Sequence, residues 1–187
     1  MAEKSYYMAC LDLEGRRCLV VGAGSVGVEK AKDLLEAGAQ VTVVAPQASG
    51  DLHVLPVRWR RKRYQSSDLD GHFLVVAATS FTPLNRRIFA DAEARSLLCN
   101  VVDVPELCSF IVPAVHRAGP IAIAVSTGGA SPLLAQRLRD ELGRSITDEH
   151  VELARRLREL RPWVKAHYPT YEARRDFFRS LVREALG

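Results

Sequence analysis

The segment that most restricts what this chain can become is VVGAGSVGVEKAKDLLEAGAQVTVVAP, from Val20 to Pro46. The Val-rich run RCLVVGA reads as a fully buried strand and ends in Gly22-x-Gly24-x-x-Gly27. A helical pattern follows, with Val28, Ala31, Leu34 and Leu35 at three- and four-residue steps and Gly38 as its stop signal. QVTVVA then reads as a second strand. A strand that turns through glycines into a helix is the setting in which this spacing binds a dinucleotide. Gly22 permits the tight turn, Gly24 lets the backbone approach a pyrophosphate, and Gly27 lets the helix pack close on the sheet. The helix N-terminus then faces the negative charge. A packing turn with no ligand would use the same glycines, so the motif needs support from elsewhere in the chain.

That support begins with the rest of the first half. HFLVVAAT and LLCNVVD read as two more buried strands, separated by a helical PLNRRIFADAEAR. LHVLPVRWR reads as an extended edge piece, because Pro56 cannot donate to a central ladder. Strands alternating with helices predict right-handed crossovers and a parallel sheet, an α/β Rossmann-like domain. After Asp103 the pattern changes. CSFIVPAVHRAGPIAIAVST reads as two paired extended segments turning at Ala118-Gly119-Pro120. ASPLLAQRLRDELG reads as a helix with Ser131 as N-cap and Pro132 in its first turn. From about Thr147 the chain is helical, charged and amphipathic, with Pro162 and Pro169 expected to interrupt it. The predicted organisation is a nucleotide-binding domain over residues 1–108, a strand-rich segment over 109–145 and a helical C-terminal domain over 146–187.

Apolar residues form 48% of the chain, enough for a buried core. The formal charge is +4, from 26 basic and 22 acidic side chains, which suits a solvated surface of mixed charge or an anionic partner. The densest basic run, RWRRKR from Arg58 to Arg63, lacks the regular aromatic interleaving of a single-strand nucleic-acid platform. Cys10, Cys18, Cys99 and Cys108 show no metal-site spacing, and Cys18 and Cys99 sit in strand-like runs where a thiol acts as a small hydrophobe. No apolar run is long enough for a membrane span, and the N-terminus carries no signal-peptide core. The expectation is a cytoplasmic protein that binds neither nucleic acid nor membrane.

Three further stretches bear on chemistry. Where many dinucleotide folds carry an acid for the adenosine ribose, this chain reads Val43, Val44, Ala45, Pro46, Gln47. Backbone groups and Gln47 would have to meet the ribose, and the lack of a base there favours NAD over NADP. CNVVDVPELCSFIVPAV places Asp103 at the C-terminal end of a predicted parallel strand, where ligands of open α/β sheets collect. The same residue could instead cap the turn before Pro105. AVSTGGASPLLAQRLR places Ser126, Thr127, Gly128 and Gly129 just before a helix, where free N–H groups could hold a carboxylate.

Taken together, CLVVGAGSVGVEKAKDLLEAGAQVTVVAP, VVAAT, CNVVDVPELCSFIVPA and VSTGGASPLLAQRLR resemble the precorrin-2 dehydrogenase family, the counterpart of the N-terminal module of sirohaem synthase. The glycine turn is generic, but the order NVVD, FIVPA, STGGxSP is specific, and the resemblance runs from about Tyr7 to the C-terminus. It implies oxidation of precorrin-2 to sirohydrochlorin with NAD as hydride acceptor, on the route to sirohaem. It implies an intertwined homodimer, with the segment after the nucleotide domain serving dimerisation. The family's essential acid falls on Asp103. Its cofactor contacts fall on the glycine turn (Gly22, Gly24, Ser25, Val26, Gly27) and on Pro46 and Gln47, and Thr79 at the end of VVAAT is a further cofactor-binding candidate. Ser126, Thr127 and Gly128 are then the substrate-binding candidates. Some members carry a serine that is phosphorylated where this chain has Thr127.

Removing a hydride and a proton from a tetrapyrrole needs an acceptor and a base, and Asp103 is the candidate base. The substrate's carboxylates would favour a basic rim, for which Arg137 and Arg139 are candidates. Two alternatives stay open. A bifunctional enzyme would also insert ferrous iron, although no residue cluster marks a metal site and His116 is an isolated histidine in a strand-like stretch. A non-catalytic NAD-sensing module would share the glycine turn, yet would have no use for NVVD followed by STGGASP.

Overall fold

The computed structural model describes residues 6–187. The chain divides once, into a unit that ends at Val112 and a unit comprising Pro113–Gly187, where the sequence suggested divisions after 108 and after 145.

In the first unit, β1 (Arg17–Val21), β2 (Gln40–Val44), β3 (Arg58–Arg60), β4 (Leu74–Ala77) and β5 (Leu98–Val101) form one sheet in the order β3-β2-β1-β4-β5. Every pairing is parallel. Side chains alternate between two apolar layers, as a strand's period of two requires. Cys18, Val20, Val41, Val43, Leu74 and Val76 face a layer that includes α1 (Ser25–Glu36), through Val28, Ala31 and Leu34. Leu19, Val21, Val75, Ala77, Cys99 and Val101 face the other, with Ile88 and Ala92 of α2 (Thr82–Glu93). Burial on both faces explains why these strands read as continuous apolar runs. The strand order reverses at β1, so the crevice beyond the C-terminal ends of β1 and β4 is where an open α/β sheet collects its ligand.

Gly38 ends α1 as its place in the sequence suggested. At φ +82 its N–H donates to Leu35 O, and Ala39 N donates to Leu34 O, the paired closure of a Schellman motif. LHVLPVRWR departs from expectation. Gly50–Val54 is a 3₁₀ turn, and only Arg58–Arg60 pairs, at the sheet's edge. Tight turns at Leu52–Leu55 and around Pro56 use up the backbone groups that an earlier start would have needed.

In the second unit, β6 (Ala114–Ala118) and β7 (Ile121–Val125) form an antiparallel hairpin. Gly119 takes φ +54 at the first central position of its two-residue loop, where a type II′ turn calls for glycine. α3 (Pro132–Gly143) packs on this hairpin. A side chain at Gly143 would meet the His116 ring at 2.7 Å, so His116 packs against α3. Ser131 caps α3, its hydroxyl accepting from Leu134 N at 3.2 Å. α4 (Asp148–His167) and α5 (Tyr171–Leu186) complete the unit. Pro169 separates them as expected, but Pro162 lies inside α4 without ending it. Proline removes one hydrogen bond and crowds the preceding turn. Here the turns on either side keep their own bonds, and the helix continues for 5 residues to His167. Among the described residues no helix is long and apolar enough to cross a membrane.

Candidate functional site

The glycine turn is fixed by backbone bonds to both neighbouring strands. Gly22 N donates to Val44 O at 3.0 Å, and Ala78 N donates to Val21 O at 2.8 Å. Gly22 takes φ +104, and a side chain there would run into the carbonyl of Ala78 and meet Thr79 Cγ2 at 3.2 Å. A side chain at Gly27 would run into the carbonyl of Gly22. Gly24 differs from both: its φ is −72, and a side chain there would meet no protein atom within 4 Å. Room beside a glycine at a helix N-terminus is what the approach of a ligand requires. No side chain caps α1 and its first turn holds no acid, so its leading N–H groups are free for an anion.

Beyond the turn lies a cavity of ≈ 980 Å³, within the range of sites that take large ligands. Gly22, Gly24, Ser25 and Val26 line it, as do Pro46, Gln47, Thr79 and Asp103. Eight of the sequence-derived positions thus meet at one place. Gly27 is buried behind the turn and acts through packing. These features fit a nicotinamide dinucleotide: an uncapped helix end, open room at Gly24, and a cavity that continues past the end of β2 in one direction and to the end of β5 in the other.

Asp103 follows β5 in a turn closed by Val104 N donating to Val101 O at 3.2 Å. Its φ of +60 is a left-handed conformation that Asp and Asn adopt more readily than other non-glycine residues. The side chain is exposed at the cavity, and its carboxylate makes no hydrogen bond or ion pair among the described residues. The turn is closed without it, so capping does not account for an acid here. Thr79, by contrast, is held: its hydroxyl donates to Asn85 Oδ1 at 2.6 Å, and Asn85 Nδ2 donates to Thr79 O at 2.9 Å.

Ser126, Thr127 and Gly128 lie in the second unit, in the loop before α3. Thr127 Oγ1 accepts from Ser131 N at 3.0 Å and donates to Ser131 O at 3.1 Å, while Gly128 N donates to Ser126 Oγ at 3.1 Å. Both hydroxyls serve the loop's own geometry. Arg137 and Arg139 pair with Glu141 and Asp140 on α3 itself. The cavity of the first unit has Arg63 and Arg87 as its cations, which the sequence did not single out. Arg63 makes no ion pair among the described residues, and Arg87 reaches Asp91 at 3.7 Å. Beside Arg63, Tyr64 is buried and its hydroxyl donates to Asp91 Oδ2 at 2.9 Å; burial, then that carboxylate, push its pKa up. The only sequence signal for Arg63 was the basic run RWRRKR, which looks like a solvated surface.

A family model described as "Putative NAD(P)-binding" matches residues 9–114. The chain belongs to this NAD(P)-binding family. A second model, described as "Sirohaem biosynthesis protein central", matches residues 118–145. The siroheme synthase of Pseudomonas entomophila is 44% identical over 94% of this chain and 39% of its own length. That of Chromobacterium violaceum is 40% identical over 97% of this chain and 40% of its own. The chain therefore spans about two fifths of these curated relatives. A solved structure titled "SirC, precorrin-2 dehydrogenase" matches with a TM-score of 0.76 at 27% identity, covering 95% of this chain and 89% of that one. The resemblance read from the motifs is borne out, and the NAD(P)-binding family member has the same fold as this dehydrogenase.

Proposed function

We propose that this chain oxidises precorrin-2 to sirohydrochlorin with NAD as acceptor, and that Asp103 is its general base. The observation that carries the reading is the meeting of an unpaired carboxylate and an uncapped glycine turn in one cavity. Relatives named siroheme synthase and a structural neighbour titled precorrin-2 dehydrogenase support the choice of substrate. The N-terminus of α1 would hold the pyrophosphate, with Gly24 giving it room. Pro46 and Gln47 would meet the adenosine ribose. When bound, the nicotinamide supplies the hydride acceptor. Asp103 takes the proton released as the new double bond forms, and passes it to water. An exposed carboxylate with no partner among the described residues can do this without first breaking an ion pair.

NAD is preferred over NADP because Ala45, Pro46 and Gln47 offer no cation to a 2′-phosphate. Arg63 also lines the cavity, so kcat/KM measured with the two dinucleotides tests this choice. We propose further that Ser126, Thr127 and Gly128 bind substrate carboxylates, that the chain works in the cytoplasm, and that it acts as a homodimer. Exposed Leu133, Leu134, Leu138 and Leu142 on α3 support the last point. Anaerobic incubation of the protein with precorrin-2 and NAD should give NADH absorbance and the visible spectrum of the more conjugated product. Binding of NAD without any reduction would overturn the dehydrogenase reading in favour of a sensing module.

A further inference from the structure

Cys108 lies five residues beyond Asp103 and is only 2% exposed. Its thiol sits between the two ends of the turn that carries the acid. Sγ accepts from Val101 N at 3.3 Å. It also lies 3.2 Å from Val101 O and 3.3 Å from Val104 O, and its one hydrogen can be donated to either carbonyl. Asn100 Nδ2 donates to it at 3.6 Å. Val101 and Val104 are the first and last residues of the Asp103 turn.

The neighbours of Cys108 extend the same clasp. β5 is an edge strand, so the outward N–H and C=O groups of alternate residues have no strand to meet. Ser109 Oγ accepts from Cys99 N at 2.7 Å and donates to Cys99 O at 3.2 Å. Asn100 Nδ2 donates to Phe110 O at 3.0 Å. Two residues further along β5, Cys108 does for Val101 what Ser109 does for Cys99. Filling space would require only an alanine or valine. Donating and accepting at one and the same atom requires a thiol or hydroxyl.

We infer that Cys108 is the positioning residue for Asp103: it ties both ends of the turn and so holds residue 103 in the left-handed backbone that presents its carboxylate to the cavity. A non-glycine residue stays in that conformation only where its surroundings over-determine it, and the thiol supplies that constraint from a buried position. The inference rests on Asp103 being the base.

The test is a set of variants assayed for precorrin-2 oxidation and for NAD binding. Cys108→Ala should lower kcat by about 10- to 100-fold and leave the KM for NAD within about twofold, since only the base is displaced. Cys108→Ser keeps a donor and an acceptor and should recover most of the loss. In an Asp103→Asn background, where oxidation is already lost, Cys108→Ala should change neither NAD affinity nor any trace of turnover further, because both act through one carboxylate. Independently of turnover, the amide of Val101 should exchange with solvent faster in Cys108→Ala. Wild-type kcat in Cys108→Ala, or unchanged exchange at Val101, overturns the inference. Should Cys108→Ala fail to fold, Cys108→Val, which fills the space but neither donates nor accepts, decides: reduced kcat at unchanged KM with faster Val101 exchange supports positioning, and full kcat with unchanged exchange overturns it. Near-normal turnover in Asp103→Asn would instead remove the base itself. An inactive Asp103→Asn beside a fully active Cys108→Ala removes only the role of the thiol.

Discussion

Residue 103 combines two properties that pull apart under mutation. Its backbone sits where glycine would be at ease, and its side chain is the only part suited to proton transfer. Asp103→Gly should therefore stabilise the protein by about 0.5–1 kcal/mol, read as a higher denaturant midpoint, while abolishing oxidation. Asp103→Asn, which tolerates the same φ, should leave stability and NAD affinity near wild type and also abolish oxidation. Equal turnover in all three proteins would show that the acid plays no part in the chemistry. Much at this scale was legible, because an acid after a parallel strand and glycines between strand and helix have few places to go. Cys18 and Cys99 behave as expected: burial pushes their thiols up, to about 11 and about 12, so they stay neutral. Arg63 and Tyr64 were not legible. They reach the cavity because the chain turns sharply after β3, and nothing in a run of basic residues announces that turn. Cys108 was missed for a related reason: its partners are backbone atoms, which spacing cannot reveal.

At the scale of elements, the three glycines of the motif should respond differently to a single methyl group. Gly27→Ala forces a methyl group against the Gly22 carbonyl where α1 meets the turn, and should cost at least about 2 kcal/mol in stability. Gly24→Ala meets nothing in the protein, so its melting temperature should stay close to wild type while NAD affinity falls. Retained affinity in Gly24→Ala would place the dinucleotide elsewhere. A second element-level test concerns the 3₁₀ turn Ser66–Leu69, anchored by buried Asp68. Burial alone would raise its pKa, but Lys62 at 2.7 Å, the Gln65 N–H and Arg60 at 3.1 Å hold it below the usual carboxylate range. Its contribution is therefore present above the unfolded-state pKa of about 4 and is lost as pH falls through the lower folded-state value. Asp68→Asn should be less stable than wild type by about 1–2 kcal/mol at neutral pH, since both cations stay partly exposed. That gap should close as the pH drops below about 4. A gap independent of pH would mean the loss is one of shape. Element types were mostly readable from periodicity, whereas the continuation of α4 through Pro162 was not, because local rules count the lost bond and not the helix on either side.

For the whole molecule, the two units are unequal in what they bury. The first has two full apolar layers. In Pro113–Gly187 the buried hydrophobic side chains are Ala135 and Val164, and α5 buries no residue at all. Leu133 remains 78% exposed and Leu134 49%. Such a surface is what a self-associating face looks like. Sedimentation should find a dimer, and Leu134→Asp with Leu138→Asp should yield monomers that still bind NAD. The hairpin and the helix after it were legible in the sequence, but their lack of an interior was not, since amphipathic patterns look alike whether the apolar side meets its own chain or another.

The thin interior of Pro113–Gly187 carries a thermal consequence. If a second copy completes it, the folded state is bought by mass action, and heat resistance depends on how much protein is in the tube. A dilute sample should melt first and a concentrated one later, with the midpoint climbing steadily between them. A midpoint that ignores dilution would show that this half of the chain keeps itself folded.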